Sequence, residues 1–208
     1  MLSIETAPDS SQRHLERARA AFGFVPNVLG MLANAPAALE TYLTVMGIFQ
    51  RSSLTPVEQQ VVLLAVSGQN GCGYCTAAHT TIASGAGVPE AVIGAIRTGQ
   101  PVPDPRLEAL RCFAVMVVRD RGWAPAALTR FLAAGYSPAN ALEVLVGVSL
   151  KTLSNYANHL AGTPIDAGVC RGRLDRDGAG PPILGVSIAV RAAATRACPS
   201  AARGAGTI

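Results

Sequence analysis

Residues 54–79 read LTPVEQQVVLLAVSGQNGCGYCTAAH, and this stretch decides the fold class. Proline follows Thr55, a pairing typical of a helix start, because the first helical position has no use for an N–H group. Glu58 completes a capping box with Thr55, and an apolar run follows over 61–66. A turn rich in Gly and Asn then leads to two cysteines three apart and to a histidine four residues further on. The pattern predicts two consecutive helices joined by a tight turn.

The rest of the chain shows the same helical signals. Proline again follows a capping residue at Asp104 and Ser137, and apolar residues recur at helical spacing. The two clearest apolar stripes are Leu107, Leu110, Ala114, Val117 and Val118, and Leu142, Leu145, Val146, Ser149, Leu150 and Leu153. No convincing period-two alternation indicates strands. We predict an all-α protein with helices near 10–22, 27–34, 36–50, 56–68, 72–85, 89–97, 105–121, 125–133 and 138–160, of which those at 105–121 and 138–160 should form much of the core.

The chain of 208 residues is long enough for one domain of ordinary size. Residues 1–166 carry eleven basic and eleven acidic side chains, so the whole net charge of +4 lies in residues 167–208. That last segment mixes Gly, Pro, Ala and Arg without helical periodicity. We therefore predict a helical domain over 1–166 and a flexible Gly/Ala/Arg-rich tail over 167–208.

Several classes of function find no support in the composition. The neutral body shows no basic face interleaved with aromatic residues, so we expect no nucleic-acid partner. The apolar runs are far shorter than the roughly 20 residues that span a bilayer, and the N-terminus does not resemble a secretory signal. Five cysteines, an odd and scattered set, do not form a secreted disulfide framework. These features favour a cytoplasmic protein that does not enter a membrane.

The strongest candidates for a functional site are Cys72, Cys75 and His79. At i, i+3 and i+7 they lie along one side of a helix that begins near Cys72. Helix starts and CxxC spacing both favour a thiolate, and an imidazole one turn further on can take up the proton. The same residues also suit two other readings: two thiolates and an imidazole are three ligands of an incomplete zinc site, and buried cysteines are often inert core residues. The spacing alone leaves all three interpretations open.

The whole stretch 54–79 resembles the alkylhydroperoxidase-like branch of the carboxymuconolactone decarboxylase family, and the likeness extends more loosely over about 1–166. The resemblance implies an alkylhydroperoxidase-like helical bundle with a CxxC at a helix start, assembled as a trimer or a multiple of it. It implies reduction of hydroperoxides, with Cys75 as the peroxidatic cysteine, Cys72 as the resolving cysteine and His79 in the proton relay. The electrons would come from an external dithiol or disulfide reductase, and we predict no metal ion or other cofactor.

One position departs from the family pattern. Gln60 stands where the resemblance places the carboxylate of the relay, twelve residues before Cys72. An amide can hold a water but cannot take up and return a proton as a carboxylate does. Either the activity is reduced, or His79 works with water alone, or Glu58 substitutes through a local shift. Two alternatives to a peroxidase also stay open: a decarboxylase-type lyase acting on a lactone acid, and a non-enzymatic module whose cysteines bind zinc or sense redox state.

Overall fold

The structure, a computed structural model, describes residues 1–167. Apart from Ala167, the predicted tail lies outside these residues. Within them the secondary structure consists of helices, as predicted, and none is long and apolar enough to cross a membrane. The helices are α1 (Asp9–Phe22), α2 (Asn27–Leu32), α3 (Pro36–Gln50), α4 (Pro56–Gln69), α5 (Gly73–Gly85), α6 (Glu90–Thr98), α7 (Pro105–Arg119), α8 (Pro125–Ala133) and α9 (Pro138–Ala161).

Helix α4 lies at the centre of the bundle, packed against α5, α6, α7 and α9. Every residue from Val61 to Ser67 is buried. A helix that is apolar on all sides is expected to be buried on all sides. Its start is the predicted capping box: the Glu58 N–H donates to Thr55 Oγ1 at 3.3 Å, and the Thr55 N–H donates to Glu58 Oε2 at 2.8 Å. The local signals in the sequence thus fix where the central helix begins.

The predicted apolar stripe of α7 is confirmed, with Leu110, Ala114 and Val117 buried. The stripe predicted for α9 is wrong in part, because Leu142 and Leu145 are 66% and 40% exposed. The face of α9 that packs inward is made of the buried residues Ala141, Val144, Gly147, Leu150, Lys151, Ser154, Asn155 and Asn158. Small and polar residues occupy this face because α9 packs closely against α3 and α4 and then passes over α5.

A tight turn reverses the chain between α4 and α5. Gly71 adopts φ +71°, a left-handed conformation that glycine enters without the penalty of a Cβ. The Cys72 N–H donates a hydrogen bond to the carbonyl oxygen of Ser67 at 3.0 Å, and Cys72 is the N-cap of α5. The turn therefore delivers the CxxC motif to the start of a helix, as predicted.

Tyr74, one of the two residues between the cysteines, joins three segments through its hydroxyl group. Its hydroxyl donates to Asp166 Oδ2 at 2.5 Å and accepts from the Val28 N–H at 3.2 Å. The other oxygen of Asp166 accepts from the Asn27 N–H at 2.9 Å. The first turn of α5 is thereby joined to the start of α2 and to the chain that follows α9.

Gly147 is the point of closest approach between α9 and the central helices. A Cβ at this position would lie 2.9 Å from the Phe49 ring and 2.9 Å from Val62. We expect Gly147→Ala to lower the free energy of unfolding by about 1–3 kcal/mol, the usual range for overpacking, as measured by urea denaturation. Gly94→Ala is the matched control, because Gly94 is helical and a Cβ there meets no atom of residues 1–167 within 4 Å. That change should be neutral or slightly stabilising; an equal loss in both variants would contradict the packing argument.

Candidate active site

The two cysteines of the motif lie side by side in the interior, at the first turn of α5. Cys72 is 1% exposed and Cys75 3% exposed, and both are free thiols. The backbone N–H of Cys75 points at Cys72 Sγ, 3.4 Å away. The three-residue spacing on a helix start therefore places both sulfurs on the same face, within hydrogen-bonding reach of each other.

Helix α9 supplies two donors to the sulfur of Cys75. Asn158 Nδ2 lies 3.2 Å from Cys75 Sγ. The ammonium of Lys151, two turns earlier on the same helix, acts on Cys75 through its positive charge. Lys151 is 1% exposed, so its charge acts across a low-dielectric interior rather than through water. A full positive charge and an amide donor converge on one sulfur.

These contacts separate the acidities of the two thiols. The hydrogen bond from Cys72, together with the charge of Lys151 and the amide of Asn158, holds the pKa of Cys75 well below its ordinary value in spite of burial. The hydrogen bond to Cys75 and burial raise the pKa of Cys72. The single long N–H contact to Cys72 is weaker than a buried ammonium and two further donors. The pair therefore carries its negative charge on Cys75 and its proton on Cys72.

His79 is bonded on both sides of its ring. Nδ1 lies 3.0 Å from Gln60 Oε1, and Nε2 lies 3.0 Å from Lys151 Nζ. An ammonium can only donate, so Nε2 is the acceptor and the ring proton sits on Nδ1, facing Gln60. Burial and the neighbouring charge of Lys151 lower the pKa of His79 well below its ordinary value. The imidazole is accordingly neutral at physiological pH.

Gln60 thus contacts His79 from the position that the resemblance gives to a carboxylate. Glu58, two residues earlier, does not replace that carboxylate. Its oxygens accept from Thr55 and from Arg106, on the side of α4 away from His79. The structural role expected for Glu58 from the capping pattern is confirmed.

The structure brings together all four residues singled out in the sequence, and it adds Lys151 and Asn158. The composition of the chain does single out Lys151. Lys and Arg together number 17, and Lys151 is the one lysine of the whole chain. Lysine is almost never fully buried unless it is paired. A solitary lysine on the inner face of a helix is thus a mark that sequence reasoning missed.

The zinc interpretation finds no ligand set within residues 1–167, where three His, Cys, Asp or Glu side chains nowhere come together as metal ligands. His79, which would be the third ligand after Cys72 and Cys75, has both nitrogens engaged by Gln60 and Lys151. The arrangement suits proton transfer beside a thiolate better than metal coordination.

The segment that holds the motif matches a known protein family. Residues 34–103 match the carboxymuconolactone decarboxylase family. The segment includes Gln60, both cysteines and His79, whereas Lys151 and Asn158 lie outside it. The comparison with curated proteins finds no match.

Solved structures share the fold. A peroxidase-related protein with an alkylhydroperoxidase AhpD core from Ralstonia eutropha JMP134 is 22% identical, with a TM-score of 0.73 over 80% of this chain and 90% of that one. A peroxidase-related protein from Silicibacter sp. TM1040 is 20% identical, with a TM-score of 0.67 over 81% and 91%. The debrominase Bmp8, in complex with 2,3,4-tribromopyrrole, is 16% identical, with a TM-score of 0.65 over 79% and 89%.

These likenesses confirm the predicted resemblance to the carboxymuconolactone decarboxylase family and its alkylhydroperoxidase-like fold. They support an enzyme that is peroxidase-related or of the carboxymuconolactone decarboxylase type. The fold hosts more than one activity, since one of the three structures is named a debrominase. The choice among activities has to come from the chemistry of this chain's own site.

Proposed function

We propose that this protein is a thiol-dependent peroxidase that reduces hydroperoxides through Cys75 and Cys72. The observation that carries the proposal is the unequal environment of the two sulfurs. Cys75 Sγ accepts a hydrogen bond from Asn158 Nδ2 at 3.2 Å and lies under the influence of the buried charge of Lys151, while Cys72 keeps its proton. A thiolate beside a protonated resolving thiol is the starting state that peroxide reduction requires.

The reaction follows from this arrangement. The Cys75 thiolate attacks the distal oxygen of the hydroperoxide; the O–O bond breaks, Cys75 becomes a sulfenic acid, and the leaving alkoxide is protonated to the alcohol. The Cys72 thiol then attacks the sulfenic sulfur, forming the disulfide and releasing water. An external dithiol or disulfide reductase supplies two electrons and two protons to restore both thiols. The His79 network beside Cys75 provides the proton relay.

Asn158 is also placed to orient the substrate. Its Nδ2 contacts Cys75, while its Oδ1 is buried and has no hydrogen-bond partner within the described part of the chain. A hydroperoxide carries an O–H donor on its distal oxygen, the atom that the thiolate attacks. We infer that Asn158 Oδ1 accepts this donor and holds the distal oxygen against Cys75 Sγ.

The oligomeric state and the choice between peroxidase and lyase rest on the family resemblance. The predicted homo-oligomer stays a prediction, and the exposed Leu142 and Leu145 on the outer face of α9 give it an apolar surface to bury. The lyase alternative also stays open, but a lyase reaction would give the Cys75 thiolate and the Cys72 thiol no catalytic role. A peroxidase uses both cysteines, which is why we favour it.

Stoichiometric oxidation tests the proposal. The reduced full-length protein is mixed with one equivalent of cumene hydroperoxide, and the alcohol, the free thiols and the mass of the peptide holding Cys72 and Cys75 are measured. We expect one alcohol per protein and a peptide two hydrogens lighter, because the pair closes into a disulfide. Protein alkylated beforehand is the control and should yield no alcohol. Unchanged hydroperoxide, or oxidation that leaves this peptide reduced, would overturn the proposal.

A further inference from the structure

We propose that Lys151 is the acid of the peroxidase reaction, giving its proton to the leaving alkoxide in place of the carboxylate that Gln60 replaces. This inference rests on the proposed function and identifies a catalytic residue within it. The geometry carries the argument: the Nζ atom lies 3.0 Å from His79 Nε2, and its charge acts on the Cys75 sulfur. Lys151 is therefore a protonated group beside the sulfur that attacks, where the O–O bond breaks and the alkoxide leaves.

The hydrogen-bond directions exclude His79 as the immediate proton donor. Its Nε2 accepts from Lys151, and its only ring N–H donates to Gln60. Gln60 needs only to accept that hydrogen bond, and an amide oxygen is an acceptor. A negative charge at position 60 would instead stabilise a protonated ring next to the ammonium. The substitution of Gln for a carboxylate is thus consistent with a site whose mobile proton resides on Lys151.

The use of lysine here contrasts with the rest of the chain. All other basic residues of the Lys and Arg type are arginine, and the one lysine is buried beside the cysteines. Arginine holds its proton at any physiological pH, whereas the pKa of a buried lysine moves readily with its surroundings. A residue needed only as a fixed positive charge could be either type. A residue that releases and regains a proton has to be lysine.

The groups around Lys151 couple its protonation to the redox state of the pair. Cys72, Cys75 and His79 face it from α5, and the buried phenol of Tyr42 faces it from α3. Burial is the largest single influence on the pKa of Lys151 and lowers it, but Cys75, Tyr42 and Cys72 together outweigh burial and raise the pKa. Disulfide formation removes the thiolate, so burial then acts against the ammonium with less opposition.

The proton balance closes over one cycle. The thiolate, the ammonium and the hydroperoxide become sulfenic acid, neutral amine and alcohol. Condensation of the sulfenic acid with the Cys72 thiol forms the disulfide and water without changing the amine. Reduction by an external dithiol delivers two protons, one to the Cys72 sulfur and one to Lys151, and regenerates the Cys75 thiolate.

A single lysine makes the test direct. In the full chain grown with isotope-labelled lysine, the side chain gives one ε-carbon resonance, whose shift with pH reports the protonation of Lys151. We expect Lys151 to titrate at lower pH in the protein oxidised with diamide than in the reduced protein, by about one pH unit or more, a tenfold change in its acid dissociation constant. Equal midpoints in the two states would overturn the inference, even if hydroperoxide is turned over. A midpoint that shifts as expected in a wild-type protein without turnover would instead overturn the proposed function.

Two substitutions separate charge from proton transfer. Lys151→Arg keeps the positive charge, so we expect the thiolate absorbance of Cys75 to persist while hydroperoxide turnover falls by about a hundredfold, within the range for loss of a general acid. Lys151→Met removes both the thiolate and the turnover. Wild-type turnover in Lys151→Arg would overturn the acid role, as would a gain of more than tenfold on Gln60→Glu, which would place the missing acid at position 60. If neither lysine variant folds, the titration of the wild-type protein decides.

Discussion

Cys75→Ser is expected to abolish hydroperoxide reduction, lowering kcat/KM by roughly three orders of magnitude or more, the scale on which loss of a nucleophile acts. The change replaces one sulfur by oxygen and keeps a hydrogen-bonding group facing Asn158 Nδ2. A serine hydroxyl, however, does not ionise near neutral pH, even beside the ammonium of Lys151, so no nucleophile remains. The measurement is consumption of cumene hydroperoxide with a small dithiol as reductant.

The control for this variant is its fold. The variant should keep the helical circular dichroism of the wild type, because the hydroxyl fills nearly the same space and remains hydrogen-bonded. Hydroperoxide turnover that survives in a folded Cys75→Ser protein would contradict the assignment of the nucleophile. Turnover of a lactone acid that is indifferent to both cysteines would point instead to the lyase alternative.

The helices could be predicted from sequence because their signals are local. Thr55, Asp104 and Ser137 each precede a proline and cap the helix that follows, and these helices begin where expected. The cysteine motif was equally accessible, since three residues of spacing and a glycine turn suffice to place it at a helix start. Such signals need no knowledge of what packs against the helix.

The inner face of α9 could not be predicted in the same way. Leucine at 142 and 145 favours burial there, yet the structure buries Lys151, Asn155 and Asn158 and leaves those leucines outside. The choice depends on which face meets α3, α4 and α5, and that contact spans more than 60 residues of sequence. Lys151 and Asn158 are stabilised in the interior by the sulfur of Cys75, and Asn155 accepts a hydrogen bond from Asn70. Hydrophobic periodicity does not register such polar pairings.

The candidate site is for this reason only half visible in the sequence. Gln60, Cys72, Cys75 and His79 fall in one continuous motif and were all identified. Cys72 itself contributes most to lowering the pKa of Cys75, but the two further groups that lower it, Lys151 and Asn158, come from α9 and carry no motif of their own. Lys151 could have been identified from the sequence by its rarity. In a chain whose other Lys and Arg residues are all arginine, a single lysine indicates a role that arginine cannot fill.

Cys72→Ser is expected to leave the first half of the reaction and to stop the second. Cys75 keeps Asn158 and Lys151, the serine hydroxyl can still donate to its sulfur, and the thiolate therefore still attacks a hydroperoxide. No thiol remains to condense with the sulfenic acid, so turnover should end after a burst of one alcohol per site. Rapid-mixing kinetics should show this burst, and dimedone should label Cys75 in the oxidised variant only.

The two serine variants together assign the roles of the cysteines. If Cys72→Ser gives a burst and Cys75→Ser gives none, then Cys75 is the peroxidatic residue and Cys72 the resolving one. A burst in Cys75→Ser with none in Cys72→Ser would reverse the roles and would mean that the N–H contact to Cys72 Sγ outweighs the ammonium at Cys75. Steady turnover in Cys72→Ser at the wild-type rate would show that the reductant attacks the sulfenic acid directly, and the disulfide would then lie outside the catalytic cycle.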